Sequence, residues 1–118
     1  HYDLGIAYKE MGLIDEAIDQ FEQAVGSTEL ARESYSMLAL CHRERDETDA
    51  AARCYRQAIE SSPTDGEALN SLRYELAELL QDTGDREGAL DEFRHLLEAD
   101  PAYRDVQDRV ASLEGCPS

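Results

Sequence analysis

The sequence offers twenty-seven carboxylates, three cysteines and three histidines as its chemically able side chains. Two carboxylates held at a fixed separation, one with a raised pKa, suffice for acid–base hydrolysis. These acids are not placed that way. Glu16, Asp19 and Glu22, and again Asp91 and Glu92, alternate with apolar residues at helical spacing, where charge faces water. His1, His42 and His95 fall in separate stretches. Cys41 and His42 are adjacent, which on a helix turns them about 100° apart and prevents a nucleophile–base pair. Cys41, Cys54 and Cys116 form no CxxC and have no usefully spaced His, so neither a zinc site nor a disulfide framework is expected. Cys41 and Cys54 read as small core residues, and reduced thiols point to the cytoplasm. Asp82, Gly84 and Asp85 gather acids at a turn but lack calcium-loop spacing, and no Gly-rich phosphate loop or HExxH is present. The side chains predict no enzyme, no metal and no cofactor.

Charge narrows the partners. Eleven Lys and Arg against 27 Asp and Glu leave a net charge of −16 over 118 residues. Such a chain repels phosphate backbones and anionic headgroups, so neither nucleic acid nor membrane is expected as a partner. No stretch approaches the ~20 apolar residues that span a bilayer, and none reads as a signal peptide. With 42% hydrophobic residues the chain is expected to fold as a single soluble domain over 1–118 without staples. Its ten Arg to one Lys hint at a bacterial source.

A period organises these residues. Leu4, Gly5, Ala17, Phe21 and Ala24 recur 34 residues later as Leu38, Ala39, Ala51, Tyr55 and Ala58. A shift of 38 then gives Leu76, Ala77, Ala89 and Phe93, and carries Pro63 to Pro101. The four extra residues fall most simply at 66–69, starting that copy's first helix a turn early. Apolar positions at i, i+3, i+4 and i+7 make each copy two helices. Breaks are expected at Gly12-Leu13-Ile14, Asp46-Glu47-Thr48 and Gly84-Asp85-Arg86, whose Gly and Asp residues tolerate the left-handed conformation that ends a helix. Asp15, Asp49 and Glu87 then meet the positive ends of the second helices. Beyond Pro101, Tyr103, Val106, Val110 and Leu113 share one face of a final helix that Gly115 and Pro117 would stop. Residue 1 falls inside a helical pattern, so the chain is expected to be a fragment of a longer protein.

Laid out in this register, the chain resembles the tetratricopeptide repeat family, whose signature reads W-x2-L-G-x2-Y, A-x3-F and P over 34 residues. The copies read His1-x2-Leu4-Gly5-x2-Tyr8 with Ala17-x3-Phe21, Tyr35-x2-Leu38-Ala39-x2-His42 with Ala51-x3-Tyr55 and Pro63, and Arg73-x2-Leu76-Ala77-x2-Leu80 with Ala89-x3-Phe93 and Pro101. Departures are Glu29 at the closing Pro, His1 and Arg73 at the aromatic, and His42 and Leu80 at the Tyr. The resemblance implies an all-α right-handed solenoid of three antiparallel helix pairs, with repeats at about 1–31, 32–65 and 66–101 and a capping helix at about 102–114.

It also implies a function: a non-catalytic scaffold whose first helices line a concave groove that docks a partner peptide or helix. Carried over by register, the groove presents Tyr2, Ile6, Lys9 and Glu10; Glu33, Ser36, Leu40, Arg43 and Glu44; and Ser71, Tyr74, Glu78, Gln81 and Asp82. Apolar Tyr2, Ile6, Leu40 and Tyr74 bordered by acids suit a protein partner with apolar anchors and basic flanks. Some family members grip acidic chaperone tails through a Lys, Asn and Arg clamp; here Tyr2, Ile6, Met37, Ser71 and Glu75 stand at those places, so that use is not expected. Residues 32–65, with five Arg against seven acids, are the least acidic stretch. The alternative function is self-association into a homo-oligomer or extended array, through the first helix or the third-copy insertion.

Overall fold

The computed structural model describes residues 1–62 and 66–115. Seven helices and no strand occur among the described residues: α1 (Tyr2–Glu10), α2 (Ile14–Ala24), α3 (Ala31–Glu44), α4 (Thr48–Glu60), α5 (Glu67–Asp82), α6 (Arg86–Ala99) and α7 (Val106–Gly115). They form two compact units, His1–Thr64 and Asp65–Ser118. Pro63, Cys116 and Pro117 lie outside the described residues.

Three turns of equal length close the hairpins α1–α2, α3–α4 and α5–α6, and each has a left-handed middle residue: Gly12 at φ 82°, Asp46 at φ 59° and Gly84 at φ 91°. In each, the next amide donates back to a carbonyl of the finished helix: Leu13 to Tyr8 at 2.9 Å, Glu47 to His42 at 2.8 Å and Asp85 to Leu80 at 2.8 Å. This satisfies carbonyls that a helix end leaves open, and the short polar side chain of Asp46 lets it stand where the others use glycine. Asp15, Asp49 and Glu87 lie in the first turns of α2, α4 and α6, and the Asp85 carboxylate accepts from the Gly88 amide at 2.9 Å.

In the first unit, Ala17, Ile18 and Phe21 of α2 meet Leu38 and Cys41 of α3, with Tyr2, Ile6, Tyr8 and Met37 packed around them. Gly5 is what allows α1 and α2 to close, since a Cβ there would lie 2.7 Å from the Phe21 ring. In the second unit, Leu76 and Ala77 of α5, Ala89, Phe93 and Leu96 of α6 and Val106 of α7 are fully buried. Tyr103, Val110 and Leu113 complete the apolar face of α7, and Arg86 donates to the Leu113 carbonyl through Nε at 2.8 Å.

Three details differ from the sequence expectation. Leu4 is 46% exposed, whereas its repeat equivalents Leu38 and Leu76 are 4% and 0% exposed. The α5 helix begins at Glu67, two register positions before the start of α3 rather than a full turn, because Gly66 at φ 121° and ψ 173° is not helical. The last helix begins only at Val106, because Arg104 at φ 44° breaks the chain's path after Tyr103.

Candidate functional site

The expected binding residues separate into two groups. In the first unit, Tyr2, Ile6 and Lys9 lie on α1 and Glu33, Ser36, Leu40 and Arg43 on α3, and Lys9 Nζ bridges the two helices to Glu44 Oε1 at 3.5 Å. The Tyr2 ring stands edge-on to Phe21 at 5.7 Å, and burial followed by the nearby Glu33 and Asp3 carboxylates raises its hydroxyl pKa. Ile6 and Leu40 are half-buried, leaving apolar surface between the polar groups. Glu33 pairs with Arg32 at 2.6 Å, the Ser36 hydroxyl donates to the Arg32 carbonyl at 2.9 Å, and Arg43 donates to the Tyr55 hydroxyl at 3.0 Å. Glu10 and Glu44 are exposed at the border.

In the second unit the aromatic position is covered. Tyr74, expected as an open apolar anchor, is 6% exposed, and its hydroxyl donates to Asp105. Burial and that bond raise its pKa, while the same bond heads the causes that lower the Asp105 carboxyl, followed after an opposing burial effect by Arg109. Arg109 Nη2 bonds Glu78 at 2.8 Å, Nη1 bonds Gln81 at 2.6 Å and Nε bonds Asp105 at 3.0 Å. The Arg104 guanidinium lies 4.8 Å from the Tyr74 ring centre and 5.1 Å from that of Tyr103. Ser71 is half-buried and Asp82 exposed. Sequence reasoning missed Arg104, Asp105 and Arg109; the i,i+4 spacing of Asp105 and Arg109 beside Val106 and Val110 was the available signal.

The cysteines and histidines sit in separate settings. Cys41 is buried within the first core, and burial pushes its thiol up to about 11. His42 Nδ1 lies 2.7 Å from Glu47 Oε1, a bond that lowers the Glu47 carboxyl. Glu92, expected as a solvated acid, instead pairs with Arg73 at 3.1 Å and is half-buried. Among the described residues no group of three or more His, Cys, Asp or Glu is placed to hold a metal, and no helix is long and apolar enough to cross a membrane.

The tetratricopeptide repeat pattern matches residues 2–66, and a second tetratricopeptide repeat pattern matches residues 71–103. The chain belongs to the tetratricopeptide repeat family. Two crystal structures of MamA share its all-α helical-repeat fold: one with a TM-score of 0.76 at 22% identity, over 97% of this chain and 65% of that one, the other with 0.75 at 20%, over 97% and 62%. This chain thus spans under two thirds of the length of either. No curated protein matches the sequence. Repeats of this family generally mediate protein–protein interaction and are generally non-catalytic.

Proposed function

We propose that this chain is a non-catalytic scaffold that docks a peptide or helix of a partner protein on the face made by α1 and α3. The observation that supports this reading is the pairing of Ile6 and Leu40. They hold the same repeat position, both remain half-exposed, and Tyr2 adds an aromatic beside them. Acids at Glu10, Glu33 and Glu44 border this apolar strip, so the partner carries apolar anchors between basic flanks. Tyr74, Glu78 and Gln81 support the second unit instead, since one segment of the chain already engages all three. The free thiols of Cys41 and Cys54 fit a reducing compartment such as the cytoplasm.

A partner isolated with the full-length protein, then titrated calorimetrically against wild type and Leu40→Glu, tests this reading. The charge placed on the strip should weaken binding by on the order of a hundredfold, as loss of an interface hot spot does. Unchanged affinity with an intact circular dichroism spectrum removes the assignment.

Self-association is the second reading, favoured by Leu4, Met11 and Leu13, which are all exposed around α1. Light scattering over a concentration series separates the two, because only self-association raises the mass without a partner.

A further inference from the structure

A cavity of about 460 Å³ lies among α2, α3 and α4 and shares no residue with the α1–α3 face. Tyr35, Ala50 and Cys54 give it an apolar surface. The repeat register shows what distinguishes its lining. Tyr35 and Cys54 hold the positions of His1 and Gln20 in the first copy and of Arg73 and Glu92 in the third. In those copies the two side chains bridge the hairpin, His1 Nδ1 to Gln20 Oε1 at 2.9 Å and Arg73 Nη1 to Glu92 Oε1 at 3.1 Å. A phenol and a thiol replace the polar pair in the second copy, no hydrogen bond joins them, and the cavity opens over them. Glu22 and Arg53 line it with opposite charge, and neither forms an ion pair among the described residues. Gln57 adds an amide.

We propose that this cavity receives one aromatic side chain of a partner protein, flanked by a carboxylate that meets Arg53 and a cation that meets Glu22. An aromatic ring suits the Tyr35 ring and the Cys54 sulfur, both of which make favourable edge and face contacts with π-systems. The volume falls within the ~300–1,000 Å³ of clefts that take small ligands, ample for one ring. Opposite charges on the rim select flanks of both signs and disfavour a nucleic acid or an anionic surface. A second copy of this chain is a poor occupant, because none of its eight aromatic side chains is exposed: Tyr2, Tyr8 and Tyr35 are half-buried and the other five buried.

The test uses a blocked tripeptide with phenylalanine between lysine and aspartate, titrated into the isotopically labelled chain and followed by NMR. Saturable shifts at Tyr35, Cys54 and Gln57 are expected. They should vanish in Tyr35→Arg/Cys54→Glu, which installs the third copy's pair and closes the space, and weaken on the order of tenfold in Arg53→Glu, an exposed change that leaves the core intact. Leu40→Glu should leave them unaltered, which separates this site from the α1–α3 face. Absence of shifts in wild type, equal shifts in Arg53→Glu, equal binding of a tripeptide with central alanine, or shifts that depend on protein concentration alone would overturn the proposal.

Discussion

Tyr2 and Tyr74 hold the same repeat position and meet their partner rings alike, Phe21 at 5.7 Å and 61°, Phe93 at 5.6 Å and 74°. Above those rings the two regions part. In the second unit, Tyr103, Arg104, Asp105 and Arg109 fold onto Tyr74, Glu78 and Gln81. In the first, Tyr2 stays half-exposed beside Ile6, and one long ion pair, Lys9 with Glu44, spans α1 and α3. One repeat position therefore serves as core or as surface according to the segment that follows it.

The largest expected effect comes from cutting the covered tyrosine. Tyr74→Ala removes a buried ring touching Phe93 and Tyr103 together with the donor to Asp105, and should cost about 3–5 kcal/mol. Tyr2→Ala should cost about half as much, because its ring is already partly in water. Urea unfolding followed by circular dichroism reads both, and equal losses would show that the segment after Pro101 adds nothing to Tyr74.

Next comes the position where the hairpins close. Ala39 and Ala77 are fully buried and carry their methyls without difficulty, whereas a Cβ at Gly5 would sit 2.7–2.9 Å from three atoms of the buried Phe21 ring. Gly5→Ala gains about 1 kcal/mol of helix propensity. Overpacking against a fixed ring costs about 1–3 kcal/mol. A net loss of roughly 1 kcal/mol is expected, and a more stable variant would mean that α1 can move away from α2 freely.

Much of this was legible from spacing alone. The turns at Gly12, Asp46 and Gly84, the acids that open the second helices and the buried small and bulky positions follow from helical period and cap chemistry, which act within a few residues. What the period could not show was which members of one register are covered. Leu4 reads like Leu38 and Leu76 yet is exposed, and Tyr74 reads like Tyr2 yet is buried. The covering of Tyr74 depends on neighbours outside the repeated window. The covering of Tyr74 rests on a left-handed Arg104, a conformation a non-glycine residue adopts only when its surroundings require it. The cavity over Tyr35 and Cys54 was hidden for a related reason: a sequence shows residues rather than the spaces they leave.

The smallest effect tests the electrostatic half of the contrast. Asp105 holds its carboxyl below the ordinary value because the Tyr74 hydroxyl donates to the ionised form, with Arg109 beside it. A carboxylate whose folded pKa is depressed contributes its full stability above the unfolded pKa of ~3.9 and loses it as the pH falls through the lowered folded value. The second unit should therefore lose stability below about pH 4 in part through this group. Asp105 is largely exposed, so the contribution belongs under about 1 kcal/mol, as for other solvated pairs. Asp105→Asn cannot gain or lose that proton, and Tyr74→Phe removes the donor while keeping the ring. Each should narrow the gap between urea midpoints at pH 7 and pH 3. A gap as wide as in wild type for both variants would show that the acid sensitivity arises elsewhere, for instance at Glu47, whose carboxyl is lowered by its bond to His42 in the first unit.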